Sequence, residues 1–287
     1  VGAGAGLDKK PAEILGASVL ASGGRAQFTY KTPKEAAEIV ADIFDYLDEE
    51  AVERSDDPNR TYAPLNEKID AENILKAVCD DGKYLEVSAK FCPDVKTVLS
   101  SINSLPVGIA ITNATGKAPK LTKAAIKKIK NFIKILVDFD VPLINFVDSE
   151  GIASTLKEEE EGILKSAANL FASVSNADNI TKISIIYGSA VGISYTALCS
   201  KSLGYDFVAA FPQAKLSALT SDAAVNFIYK PDIDASADPV KARESLKEKY
   251  ETLEQNPFVS AKDGGVDNII EPALVRPYLA SVLTATL

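Results

Sequence analysis

Ile183-Ser-Ile-Ile-Tyr-Gly-Ser-Ala-Val-Gly-Ile-Ser-Tyr195 changes character midway. Its first five residues are β-branched or aromatic apart from Ser184, the composition of a buried strand over Ile183–Tyr187. Small residues follow, and a helix is expected over Ser194–Lys201. A strand feeding through small residues straight into a helix is the basic unit of an α/β fold. Small side chains at such a turn let a ligand approach the backbone, and the first helical N–H groups point outward unpaired. Two such groups can hold a developing negative oxygen, as an oxyanion hole does. Tight helix–strand packing explains the same small residues equally well, so the pattern alone leaves both readings open.

Working outward, strand and helix signals alternate on both sides. A short helix at Asn73–Val78 precedes strands at Tyr84–Ser88, Val95–Leu99 and Val107–Thr112. An amphipathic helix over Thr122–Phe139 carries Ala125, Ile129, Phe132, Ile133 and Leu136 on one stripe, with its lysines mostly elsewhere. Pro142–Asp148 is an apolar run suited to a buried parallel strand. Helix over Glu158–Ser173, strands Phe207–Phe211 and Lys215–Leu219, and helices Asp222–Tyr229, Asp238–Glu254 and Pro272–Leu283 complete the series. Toward the N-terminus one helix starts at Pro33, with Ala36, Ile39, Val40, Ile43, Phe44 and Leu47 at helical spacing. It cannot build a core alone and must dock on other sequence. The polar run Glu53–Arg60 has the composition of a surface linker.

The composition of the 287 residues excludes several chemistries. With no His there is no Ser-His-Asp or Cys-His nucleophile, no His-ligated zinc and no imidazole base. With no Met, a chain opening at Val1 is expected to be processed or a piece of something longer. Forty acidic against 31 basic residues, net −9, argue against nucleic acid as the main partner. Cys79, Cys92 and Cys199 are odd in number and widely spaced, which suits reduced thiols in a cytoplasmic protein better than a disulfide framework or a metal site. The glycines of Val1–Gly6 lack a preceding strand, and Thr115-Gly-Lys117 lacks the rest of a phosphate loop, so neither supports nucleotide binding. Glu158–Glu161 reads as first-turn acids complementing a helix dipole. The lysine-rich helix reads as a solvated face, with a phosphate-bearing ligand as the alternative.

Several blocks together resemble the carboxyltransferase family of biotin-dependent acyl-CoA carboxylases and decarboxylases. They are Asp80-Asp-Gly-Lys-Tyr-Leu-Glu86, Pro106-Val-Gly-Ile-Ala110, and Leu121 with Lys128 and Phe132. Val141-Pro-Leu-Ile-Asn-Phe-Val-Asp-Ser-Glu-Gly151 is similar to that family's "iPlvtlvDtpG". Gly192-Ile-Ser-Tyr195 followed by Ser200-Lys201 resembles "GGAY…SK", and Ala210-Phe-Pro-Gln-Ala214 resembles "AWPtA". Gly265-Val-Asp-Asn-Ile-Ile-Glu-Pro272 with Arg276 resembles the closing "G.iDdvI.P..TR". The blocks keep the family's order and spacing from about Leu65 onward.

The resemblance implies a crotonase-like (ClpP/crotonase) β-β-α superhelix. Residues 65–287 would be the C-terminal carboxyltransferase domain, and 1–64 the tail of the N-terminal one with its linker, Leu15-Gly-Ala17 lying near the family's "LGGa". The implied activity is movement of a carboxyl group between N-carboxybiotin, carried on a separate carrier protein, and an acyl-CoA α-carbon. This domain would supply the biotin side, with no metal. The backbone N–H groups of Ile193 and Ser194 would form the oxyanion hole. Gly192, Tyr195, Thr196, Asp148, Gly151, Phe211 and Pro212 would line the biotin or substrate site. Implied partners are the biotin carboxyl carrier protein, the N-terminal carboxyltransferase domain and further copies in a dimer-based homo-oligomer such as a hexamer, with no nucleic acid. The family's second glycine and its alanine are Ile193 and Ser194 here, and Thr-Pro after the strand acid is Ser149-Glu150. Ile193 and Glu150 motivate a second reading, a non-catalytic assembly subunit or degenerate homologue.

Overall fold

Apolar runs that alternate with helices pair into one sheet of eight strands. In the computed structural model, which describes residues 16–47 and 56–286, these are β1 (Leu85–Glu86), β2 (Lys96–Ile102), β3 (Leu105–Ile111), β4 (Leu143–Ser149), β5 (Lys182–Val191), β6 (Phe207–Ala210), β7 (Lys215–Ser217) and β8 (Asn268–Ile269). The glycine run at Val1, Leu15 and residues 53–55 of the expected linker lie outside the described residues. The order is β1-β2-β3-β4-β5-β6-β8, with β7 pairing β5. β1, β2 and β3 are antiparallel, and every later pairing is parallel. Asn103 and Ser104, both at positive φ, make the two-residue β2–β3 turn.

Helices cover both faces, as a parallel sheet requires. The described helices used below are α1 (Ala17–Ser22), α2 (Pro33–Leu47), α3 (Ala71–Val78), α4 (Lys123–Asp138), α5 (Ile163–Ser175), α6 (Ile193–Cys199), α7 (Ser221–Phe227), α8 (Pro239–Leu253) and α9 (Val275–Thr286). One core layer joins α4, α5 and α6 to the sheet through Ile129, Phe132, Leu136, Leu170 and Leu198. The other joins α3 and α9 through Ile74, Leu75, Leu279 and Leu283. Thr122 caps α4 by accepting from the Ala125 N–H, and the expected stripe is buried. α2 docks against β2 and β3, with Tyr46 buried.

Four expectations change. The strand expected to end at Tyr187 continues to Val191, because Gly188-Ser-Ala offers nothing to clash with while the backbone still finds partners in β7. The helix expected from Glu158 is two helices, Leu156–Glu160 and α5, broken at Gly162 with φ 79°. Thr155 caps the first of these; Glu158 and Glu159 lie in its first turn, as expected, and the Glu158 carboxylate also accepts from the Lys123 N–H at the start of α4. Lys128 is buried among the apolar residues of α4, only 2% exposed, with its Nζ donating to the Cys92 carbonyl at 3.3 Å. Residues 56–60, expected as free linker, are clamped. Arg60 pairs with Asp56 at 2.9 Å, and Arg276 Nε donates to the Asp57 carbonyl at 2.9 Å.

That clamp centres on Arg276, 1% exposed. It reaches Asp80 at 2.7 Å and the Val78 carbonyl at 2.6 Å, while Asp80 also accepts from the Asn103 and Ser104 N–H groups. One buried guanidinium therefore ties α9, the end of α3, residues 56–57 and the β2–β3 turn together. Burial pushes the Asp56 carboxyl up. The hydrogen bonds from Arg60 and the Asp81 N–H, with the charge of Arg276, more than offset this and leave it below the ordinary value. Cys79 and Cys199 are buried free thiols, each pushed up to about 12 by burial. Among the described residues no helix is long and apolar enough to cross a membrane, and no three His, Cys, Asp or Glu side chains gather as metal ligands.

Candidate active site

β5 is longer than its neighbours because it serves two sets of partners. Ile183–Ile186 pair with β4 and β6, and Ser189–Val191 pair with β7. Where the strand passes between them, the β4 register shifts between Val147 and Ser149. Asp148 fills the break. Its Oδ1 accepts from the Ser189 N–H at 2.8 Å, and its Oδ2 accepts from Asn113 Nδ2 at 2.6 Å. Gly188 makes room, since a Cβ there would lie 2.3 Å from Asp148 Oδ1.

Gly192 then turns the chain into α6 with φ 58° and ψ −126°, a conformation open to glycine and strained for other residues. Its N–H donates to the Ser217 carbonyl at 2.9 Å, which ties the turn to β7. The first N–H groups of α6, those of Ile193 and Ser194, have no acceptor within the helix. At the other end, Asn145 Nδ2 and the Tyr205 hydroxyl donate to the Leu198 and Ala197 carbonyls, 3.4 and 3.2 Å away. Both ends of α6 are thereby fixed to the sheet.

The N-terminus of α6 opens on a cleft of about 640 Å³. Gly192, Ile193, Tyr195 and Thr196 form one wall, and Leu216, Ser217 and Ala218 a second. Phe171 of α5 lines it too, and Glu254, Val259, Ser260 and Asp263 close the remaining side. Burial pushes the Tyr195 hydroxyl up, so this group stays protonated as a donor at neutral pH. The lining is mixed: Phe171, Ile193, Leu216 and Val259 are apolar, while Glu254 and Asp263 bring two carboxylates to one side.

The nine residues singled out from sequence divide. Gly192, Ile193, Tyr195 and Thr196 meet at the cleft. Ser194 is fully buried behind it, with its hydroxyl 2.9 Å from the Ser149 carbonyl and 2.8 Å from the Val191 carbonyl, and accepting from the Gly151 N–H at 3.1 Å. Gly151, at φ 104°, thus supports α6 from the rear. Asp148 lines a different cavity of about 420 Å³, beside Asn113, Tyr187 and Lys68. Phe211 is fully buried in the α3–α9 core layer, and the neighbouring Pro212 is half-buried and outside the cleft's lining. Sequence reasoning missed Phe171, Ser217, Glu254, Ser260 and Asp263. They come from separate segments, none with a local signature of chemistry.

A mostly parallel sheet with an antiparallel hairpin at one edge, whose central strand turns through glycine into a short helix at a cleft, is a crotonase-like α/β fold. It superposes with a TM-score of 0.92 on the transcarboxylase 12S hexamer structure with methylmalonyl-coenzyme A and methylmalonic acid bound, at 28% identity over 99% of this chain and 57% of that one. The carboxyl transferase domain family matches residues 6–287, and the chain belongs to that family. It is 28% identical to the methylmalonyl-CoA carboxyltransferase 12S subunit of Propionibacterium freudenreichii subsp. shermanii, over 97% of this chain and 56% of the relative. It is 29% identical to the propionyl-CoA carboxylase carboxyltransferase subunit of Haloferax mediterranei, over 94% and 55% respectively. A methylmalonyl-CoA decarboxylase subunit alpha of Veillonella parvula is 31% identical over 81% of this chain and 45% of that protein. The chain therefore spans about half the length of these curated relatives.

Proposed function

We propose that this chain is the biotin-side part of a carboxyltransferase that moves a carboxyl group between carrier-borne biotin and an acyl-CoA α-carbon. The observation that carries this reading is the Gly192 turn. It brings the N-terminus of α6, at Gly192 and Ile193, to the wall of a cleft. In this reading the Ile193 and Ser194 N–H groups donate to the ureido oxygen of the ring, and Tyr195 and Phe171 exclude water from its edge. Biotin, when bound, supplies the carboxyl carrier and the base, which fits a chain with no His. Residues 65–287 form the biotin-side domain, and the first 64 residues join it to an N-terminal carboxyltransferase domain that holds the acyl-CoA. The working assembly is a dimer-based oligomer of the hexameric kind seen for transcarboxylase 12S, served in the cytoplasm by a biotin carboxyl carrier protein.

Because Ser194 also holds the turn with its hydroxyl, the clean test is Ile193→Pro in the full-length subunit. Position 193 is the first residue of α6, where proline is tolerated, so the change deletes one donor and keeps the helix. Loss of one oxyanion-hole donor typically costs roughly 10²–10³ in rate. Carboxyl transfer from carboxylated carrier to acyl-CoA should fall by that factor, with the circular dichroism spectrum unchanged. Unaltered turnover overturns the assignment. The side chain of Ile193 on the cleft wall favours a second reading, a degenerate homologue that serves assembly. A full-length complex with no transfer activity before any substitution would select it.

A further inference from the structure

α4 and α5 pack side by side and leave a groove on their outer surface, away from the sheet. Two cavities lie along it and share Lys130 in their lining, one of about 140 Å³ and one of about 270 Å³. Lysines 123, 127, 130 and 134 of α4 run along one wall at helical spacing. Ser166, Asn169, Ser173 and Asn176 of α5 run along the other. Ile126, Ile133 and Val137 contribute the apolar floor.

The charge is one-sided. No carboxylate lines either cavity. Between residues 120 and 137 there are lysines and no acid, and between 162 and 177 Lys165 is the lone charged residue, although the whole chain carries net −9. Lys123 is partly engaged by Glu161 and Lys127 by the Gly23 carbonyl. Lys130 and Lys134 have no ion pair or hydrogen bond among the described residues, nor do the carboxamides of Asn131, Asn169 and Asn176. Lining up like charges costs free energy, which contacts offset at Lys123 and Lys127 and not at Lys130 and Lys134 among the described residues.

We propose that this groove docks an acidic, partly apolar segment of a partner polypeptide. From residue 123 to 137 the groove is roughly 20 Å long at the helical rise. An extended chain of about six residues spans it. Alternate side chains of such a segment drop onto the Ile133–Val137 floor, its carboxylates meet Lys130 and Lys134, and its backbone amides meet the asparagine wall. The lining has no arginine to fork a phosphate and no aromatic ring to stack a base, which disfavours nucleic acid. A concave slot fits a chain better than a flat lipid surface.

The test measures fluorescence anisotropy of a labelled peptide of about ten alternating Glu and Leu residues, titrated with the whole protein. The arms are the wild type and Lys130→Glu/Lys134→Glu, with a Lys–Leu peptide, a single-stranded RNA of matched charge and phosphatidylserine vesicles as competing probes. Lys134 is exposed and Lys130 half-buried, and neither makes an ion pair among the described residues, so thermal unfolding of the variant should match the wild type. The Glu–Leu peptide is expected to bind the wild type at least about tenfold more tightly than the charge-reversed variant, and to weaken with added salt. Equal binding by the two proteins, no peptide binding, or preference for RNA or vesicles overturns the proposal.

Discussion

Ser194→Ala isolates what the hydroxyl behind the cleft contributes. The side chain is fully buried, and its oxygen sits within hydrogen-bond distance of three backbone groups, from Ser149, Gly151 and Val191. A hydroxyl has one proton, so it donates to one of the two carbonyls at a time and accepts from the Gly151 N–H. Alanine removes the donated bond, worth a net ~1 kcal/mol, and leaves a buried N–H unpaired at a cost of ~1–3 kcal/mol. The sum is about 2–4 kcal/mol. For a domain of this size ~1 kcal/mol shifts the melting temperature by about 2–4 °C, so a drop of roughly 4–16 °C is expected. Urea unfolding of the variant and wild type, followed by circular dichroism, measures the free-energy difference directly. Because Gly151 and Val191 flank the turn that places the α6 N–H groups, carboxyl transfer by the full-length variant should fall as well. A variant as stable as the wild type would refute the reasoning, since it would mean that the three close contacts contribute nothing net.

The other expectations concern the supports around this turn. Gly188→Ala places a methyl where the Asp148 carboxylate now sits, and should cost ~1–3 kcal/mol in urea unfolding by displacing either the carboxylate or β5. Arg276→Ala leaves Asp80 buried and unpaired, and the loss of one partner of a buried pair should cost ~3–5 kcal/mol, read as a lower thermal midpoint. The folded pKa of Asp56 lies below its ordinary value, so its stabilisation is complete above that value and disappears as pH falls through the folded pKa. Asp56→Asn should therefore flatten the fall in stability measured below about pH 4. Burial lowers the pKa of Lys128, and replacing it with a neutral side chain of similar length, Lys128→Met, should raise stability by up to ~1 kcal/mol at neutral pH, measured by the same unfolding titration.

What could be read in advance follows from how each segment meets its surroundings. Pro142–Asp148 and Ile183–Tyr187 are apolar throughout because parallel strands are covered on both faces, so composition alone marks them. Residues 188–191 are equally part of β5 but have no such mark. Glycine belongs at 188 because Asp148 needs the space, and a neighbour from another strand leaves no local pattern. The cleft shows the same division. The wall made by Gly192, Ile193, Tyr195 and Thr196 comes from one short stretch and was legible as a strand–glycine–helix turn, whereas the opposing walls come from residues 171, 216–218 and 254–263.

Asp148 shows why a motif match and a physical role have to be argued separately. Family resemblance places it at the substrate site, yet both its oxygens are already engaged, one by a backbone N–H that the β4 register shift leaves without a strand partner. Its first duty is to let β5 pass from one set of partners to the next, and without that passage Gly192 would not sit against β7. The departures at 193 and 194 separate in the same way. Ser194 replaces the family's alanine with a hydroxyl that has its own buried partners, so that change reinforces the turn. Ile193 adds a side chain to the cleft wall and leaves its N–H where glycine would have held it, so its effect falls on the width of the slot. A substitution that narrows the cleft should change which ring or acyl group enters while the donors stay in place. Ile193→Gly in the full-length subunit should therefore shift KM for the carboxylated carrier more than kcat, and a change confined to kcat would place Ile193 in the chemistry itself.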